Sequence, residues 1–542
     1  MNKTIPFLFV CILMISSCSH QDNHEQGTVF RYNEAANITT LDPAFAKDQS
    51  IIWAVNQIFN GLIQLNDGME ITPCIASSWD ISESGLEYTF HLRRDIYFHP
   101  SPAFPGGVGR RVVAGDFVYS FGRIIDPAVA SPGAWLFNYL ERSSGSQAFT
   151  APDDSTFIIR LEKPFPPFIR LLCMQYCSVL PHEAISFYGH EFGRNPIGTG
   201  PFRFGMWKEG VKLVLVKNPA YFEYENGARL PYLDAVAISF VPDKQSAFLE
   251  FIKGNLDLMS GIDPTYKDEL LTSEGKLQLK YQSRINLLTQ PYLNTEYLGF
   301  MVDGSAGTSP STKVPKEVRK AINLSFDRKK MIQYLRNNIG IPGCQGITPM
   351  GLPSFDQHHV FFDYDPVKAR QLLVSAGYPA GVGLPSITLT STPDYLDICK
   401  YIQHQVALIG IDLKIEVSPP AAVKEMKAEA KLPFFRASWI ADYPDAENYL
   451  SMFYTRNFCP QGPNYTHFSN PDFDRLYEKA MTTVSDSLRY DYYRRMEAII
   501  MEESPVVILY YDQVLRFVQK NVEGLGNNAM NLLSLKRVIK SQ

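Results

Sequence analysis

One stretch, residues 386–417, narrows the possible folds of this chain more than any other. "SITLTST" (386–392) has the β-branched content of a strand. Ile398, Ile402, Val406 and Ile409 then recur at helical spacing, Gly410 marks a turn, and "IDLKIEV" (411–417) alternates Ile411, Leu413, Ile415 and Val417. Strand, helix and strand in succession form a βαβ unit, which implies a parallel sheet and a right-handed crossover. The expected class is therefore α/β. With 542 residues, the chain exceeds what a single core sustains, so several domains are expected.

Other elements are legible. "YTFHLRRDIYF" (88–98) alternates Tyr88, Phe90 and Leu92 against Thr89, His91 and Arg93, the period of a half-buried strand. In "YDPVKARQLLVSAGYP" (364–379), Asp365 can cap a helix, Pro366 suits its first position, and Ala369, Leu372, Leu373 and Ala376 share a face until Gly377 stops it. "SNPDFDRLYEKA" (469–480) repeats the device with Asn470 and Pro471. The earlier half is richer in alternating strands, and "VDGSAGTSPSTKVP" (302–315) reads as a surface loop.

The N-terminus addresses the chain to an envelope. Lys3 precedes an apolar run, Ile5 to Ile15, of signal-peptide length, and "ISSC" places two serines before Cys18. That pattern looks like a bacterial lipobox, in which Cys18 is acylated and becomes the mature terminus; a plain secretory signal is the alternative. The polar "SHQDNHEQG" (19–27) suits a tether, and no later run has the length of a membrane-spanning helix. The expectation is a protein exported and lipid-anchored without spanning. A net charge of −5 leaves no basic footprint, which argues against nucleic acid. Cys74, Cys173, Cys177, Cys344, Cys399 and Cys459 remain after the leader; sequence cannot pair them, and buried free thiols are expected.

No catalytic motif is complete. "PHEAIS" (181–186) has Ser186 where a zinc protease needs its second histidine, "GHEFG" (189–193) fails likewise, and no Gly-x-Ser-x-Gly elbow occurs. "GGVGRRV" (106–112) and "IGTGPF" (197–202) are glycine turns without a phosphate-binding lysine. No enzyme, no cofactor and no metal site is expected, a secreted hydrolase being the least favoured reading. "FRASWIADYPDAENYL" (435–450) is the unusual segment: Asp442 lies between Trp439 and Tyr443, where a cation could sit. Asp445 and Glu447 read as solvated or capping residues, and Asn464 and Tyr465 as either cleft or loop.

Taken in order, "TLDPAF" (40–45), "QIFNGLI" (57–63), "VVAGDFVYSF" (112–121), "PIGTGPFRF" (196–204), "VRKAINLSFDRKKMI" (318–332), "SWIADYPDAENYL" (438–450) and "EESPVVILYYD" (502–512) resemble the bacterial extracellular solute-binding proteins of the peptide class, receptors of ABC importers. The resemblance implies a periplasmic-binding-protein-like fold with two lobes and an additional inserted domain. It implies a leader at 1–17, a tether at 18–27, domain I at 28–62, 196–293 and 511–542, domain II at 63–195, and domain III, the second lobe, at 294–510. By the same resemblance Asp442, three residues after Trp439, pairs with a peptide's α-ammonium, and Ile440 and Ala441 offer backbone to it. Arg436 lines the pocket, and Lys47, Asp48 and Gln49 form the opposite rail. Implied partners are short peptides, a permease and ATPase complex, and the membrane through the lipid, with the receptor itself monomeric and facing the periplasm or exterior. The family also holds receptors for nickel chelates, haem and sugars, and a peptide-sensing or scavenging surface lipoprotein is a further alternative.

Overall fold

A computed structural model describes residues 27–141, 148–261, 263, 266–303 and 313–541. Cys18, the apolar leader, nearly all of the tether and most of the 302–315 loop lie outside the described residues.

Among the described residues the main sheet has 11 strands. They include β1 (Val29–Asn33), β2 (Phe202–Lys208), β3 (Lys212–Lys217), β4 (Ala235–Ser239), β5 (Leu258–Ser260), β6 (Ile285–Phe300), β7 (Ile387–Ser391), β8 (Leu413–Val417), β9 (Phe434–Ile440) and β10 (Val506–Gln519). Their order is β8-β7-β9-β6-β10-β5-β1-β4-β3-β2, and a short strand at Ile341–Pro342 pairs with β10 off this path. Helix α1 (Gln49–Ile58) follows β1, and helix α2 (Leu396–Ala407) connects β7 to β8. β7 and β8 pair in parallel from Ile387↔Leu413 to Ser391↔Val417, as the βαβ pattern requires. The alternation in β8 outruns its burial: Leu413 is buried but Val417 is 43% exposed, because β8 is the edge of the sheet.

A second, antiparallel sheet takes Ala76–Ile81, Glu87–Leu92, Thr156–Arg160 and Phe149–Asp153 in that order. Tyr88, Phe90 and Leu92 point into its core, the face their alternation predicts. Asp365 accepts from the Lys368 N–H at 2.9 Å, and Asn470 from those of Asp472 and Phe473, so both expected caps form. Gly377 ends the first of these helices at φ 86°, a conformation that costs a glycine little.

Among the described residues, buried side chains fall into three clusters. The first joins β1, α1 and the second sheet to Leu533, Leu535 and Val538 near the C-terminus. The next holds α2, β7, β9 and the late helices, and the smallest packs Phe248, Phe251 and Ile285 against Leu515 and Phe517. β6 and β10 pass between clusters: Ile285 and Phe517 belong to the smallest, Tyr297 and Ile508 to the α2 cluster. The pair runs antiparallel from Ile285↔Gln519 to Gly299↔Val506, with its register broken between Pro291 and Thr295. A ladder interrupted at a proline, which has no N–H to donate, bends there most easily.

The glycine turns are structural. A Cβ on Gly198 would lie 2.2 Å from the Ile58 carbonyl oxygen, and one on Gly200 2.4 Å from the Ile58 carbonyl carbon, so only glycine lets this turn close onto the end of α1. All six described cysteines are free, five buried and Cys173 partly so. Among the described residues no helix is long and apolar enough to cross a membrane, and no metal-ligating cluster occurs.

Candidate functional site

β9 carries the candidate site because of what lies on its two edges. Along one edge it pairs fully with β6, from Asn294↔Ile440 to Phe300↔Phe434. Along the other, β7 pairs with it only at Thr390↔Phe435. Beyond Phe435, among the described residues, no strand lies beside that edge, so backbone groups near Ser438 and Ile440 are open to an extended ligand. Ile440 is 49% exposed, whereas Ala441 is buried and donates its N–H to the Leu293 carbonyl at 2.9 Å.

Asp442 follows at the strand's end and is held by Asn448, a buried residue that sequence reasoning did not single out. The Asn448 Oδ1 accepts from the Trp439 Nε1–H at 2.9 Å and from the Asp442 N–H at 3.2 Å, and its Nδ2 reaches Asp442 Oδ2 at 3.4 Å. One amide thereby sets both the ring and the carboxylate. Nothing in the spelling "DAENYL" marks Asn448 as this bridge. Asp442 is exposed, yet the protein packed around its carboxyl raises its pKa and the Asn448 hydrogen bond only partly offsets this. The carboxyl borders a narrow cavity of about 30 Å³, lined in part by Asn56, Arg170, Gln175 and Tyr443. Among the described residues no cation forms an ion pair with Asp442. A partly desolvated carboxylate left accessible and unpaired suits a site for an incoming cation.

The opposite rail meets this site through Tyr176. Burial pushes the Tyr176 phenol up to about 12, and the charges of Asp442 and Asp48 add to the effect, so both carboxylates lie near one ring. Tyr176 is seated against Gly133, where a Cβ would fall 2.5 Å from the ring. Lys47, Asp48 and Gln49 are exposed at the N-terminus of α1, and Asp48 makes no side-chain cap. The Ala46 carbonyl accepts from Gln175 Nε2 at 2.6 Å, which ties the rail to the segment carrying Tyr176.

One sequence reading changes in part and another is narrowed. Asp445 and Glu447 are not solvated, each being 3% exposed, whereas the capping alternative holds for Asp445, whose Oδ1 accepts from the Glu447 N–H at 3.0 Å. Asp445 lies 3.8 Å from Arg170 and 3.5 Å from Arg489, joining separate parts of the chain, and Glu447 accepts from the hydroxyls of Tyr443 and Tyr477. Burial pushes the Glu447 carboxyl up to about 7. Arg436 pairs with Glu296, itself 2% exposed in residue terms, and lies 3.1 Å from the centre of the Tyr395 ring, so its charge is engaged within the protein. Asn464 is fully buried and bonds the Tyr454 and Phe468 carbonyls, a loop residue rather than a cleft residue. His358 and His359 are exposed.

Residues 70–458 match the sequence model described as bacterial extracellular solute-binding proteins, family 5 middle. The chain is 28% identical over 464 residues to heme-binding protein A of Haemophilus influenzae, covering 83% of this chain and 80% of that protein. It is 26% identical over 498 residues to the glutathione-binding protein of Escherichia coli, covering 90% of each. Among solved structures, an ABC-transporter-associated periplasmic binding protein from Helicobacter pylori, in complex with the peptide STSA, aligns with a TM-score of 0.75 at 26% identity. That alignment covers 96% of this chain and 99% of the other.

Proposed function

This chain belongs to the bacterial extracellular solute-binding proteins, family 5, and from that membership we propose that it captures short peptides between two lobes and delivers them to the permease of an ABC importer. Proteins of this family are receptors of ABC importers in the cell envelope, and the relatives above are binding proteins rather than enzymes. Peptide is the reading that Asp442 favours. An accessible, partly desolvated carboxylate with no cationic partner among the described residues, held beside an open strand edge, matches the two features every peptide has: an α-ammonium and a backbone.

The proposed binding set is Asp442, Trp439, Ile440 and Ala441 on one side and Lys47, Asp48 and Gln49 on the other. Arg436 acts from behind through its pair with Glu296. The proposed domain limits are those read from the sequence, and the register break at 291–295 supports a bend between lobes. Closure around ligand follows from a ligand that touches both lobes, since it binds the closed form best. Acylation at Cys18 completes the proposal by holding the receptor at the membrane. A non-peptide solute is the second reading, favoured by the likeness to a protein named for haem.

Mass spectrometry of ligands that co-purify with the protein is the direct test, followed by calorimetric titration with peptides of two to five residues. Peptides among the ligands, and a smaller radius of gyration at peptide saturation, are expected. Co-purification of a porphyrin or another non-peptide solute, with no peptide titrating, refutes the peptide reading.

A further inference from the structure

A second cavity, of about 400 Å³, lies where β1 ends and β6 crosses β10; Tyr32, Glu34, Gln49, Trp53, Tyr292 and Asp512 contribute to its wall. Two polar atoms there have no partner among the described residues. The Tyr32 hydroxyl and Glu34 Oε1 are both buried without a hydrogen bond, and Tyr32 as a whole is 1% exposed. Buried polar groups are almost always paired, so two orphans in one cavity call for a ligand group. Desolvation pushes the Glu34 carboxyl up to about 7. The neighbouring cations are engaged elsewhere: Lys244 pairs with Asp263 and Arg336 with Asp512, each at 2.8 Å.

Helix α1 links this cavity to the Asp442 site. Gln49 and Trp53 line the first and Asn56 the second, positions spaced by four and then three residues along one helical face. At a rise of about 1.5 Å per residue, Trp53 and Gln49 lie about 4.5 and about 10 Å along the helix from Asn56. The two cavities are thus within about three residues of extended peptide at roughly 3.3 Å each. Met530 and the adjacent Asn531 line one cavity each, so the two are neighbours across the C-terminal segment as well.

We infer that Glu34 and Tyr32 form a second cation subsite, which selects ligands carrying a lysine- or arginine-type group within a tripeptide's length of the ammonium held by Asp442. The ammonium or guanidinium takes a charge-assisted hydrogen bond to Glu34, and its remaining donors meet the Tyr32 oxygen. The inference rests on the peptide reading of the Asp442 site and assigns its side-chain preference.

The test compares two tripeptides, Ala-Ala-Lys and Ala-Ala-norleucine, which differ by the cationic head. Calorimetry on the wild type is expected to favour the lysine peptide about 10- to 100-fold, the worth of one charge-assisted bond. In Glu34→Gln that ratio should fall towards one, and in Tyr32→Phe it should fall in part, while thermal unfolding of both variants stays cooperative. Equal affinities in the wild type, or an unchanged ratio in Glu34→Gln, overturns the inference and leaves the peptide reading standing. If neither peptide binds, the peptide reading fails, and spermidine probes the subsite by itself. Thermal stabilisation of the wild type by spermidine, absent in Glu34→Gln, supports the subsite; no stabilisation overturns it.

Discussion

Replacing Asp442 separates binding from folding. Two unit charges about 4 Å apart in surroundings of effective dielectric near 20 attract by about 4 kcal/mol. Truncating one partner of such an enclosed pair costs about 2–5 kcal/mol, or roughly 30- to several-thousand-fold in affinity. Asp442→Asn should therefore abolish tight peptide binding by calorimetry. The empty protein should respond in the opposite direction. Burial raises the Asp442 pKa in the folded state, so its stabilising contribution is full below the unfolded pKa and is lost as pH rises through the folded one. At neutral pH the ionised carboxylate burdens the fold, and Asp442→Asn should leave the melting temperature unchanged or slightly raised. Acetylating the peptide N-terminus should weaken wild-type binding by a similar factor yet matter far less to the mutant. That non-additivity identifies a direct pair. Tight wild-type binding of an N-acetylated peptide, or a mutant that loses stability together with binding, refutes the reasoning.

Three further outcomes are expected. Glu447 has a folded pKa of about 7 against 4.5 unfolded. Its contribution is therefore present at pH 4 and lost between pH 4.5 and 7, by up to about 3 kcal/mol; denaturant titrations at pH 5 and 8 should show a gap that narrows in Glu447→Gln. Gly198→Ala forces a methyl to 2.2 Å from the Ile58 oxygen and should cost about 1–3 kcal/mol or more, read as a lower melting temperature; an unchanged melt would show that the turn relaxes freely. Cys18→Ser should move the protein from the membrane fraction to the soluble one, and its retention in the membrane would refute acylation.

Local patterns in the chain were enough to specify its local structure. Periods of two and 3.6 residues placed Tyr88, Phe90 and Leu92 on one face of a strand and joined β7, α2 and β8 into a parallel unit. Caps at Asp365 and Asn470 depend on neighbours within three residues, and they formed as read. Motifs in order along the chain identified the family, since order survives when identity is low. Side-chain partners far apart in sequence were not legible. Asn448 binds Trp439 and Asp442 only because the turn after β9 folds back on the strand, and Asp445 is buried because Arg170 arrives from a different part of the chain. Glu296 stands beside Arg436 only because β6 runs along β9, and nothing in the sequence sets Glu34 apart, although tertiary packing leaves its Oε1 buried near Tyr32 without a partner among the described residues. The physical reason is common to all four. Periodicity and capping report on a residue's own backbone, whereas whether a charge is paired, orphaned or wet depends on which distant segment packs over it, and only the tertiary structure decides that.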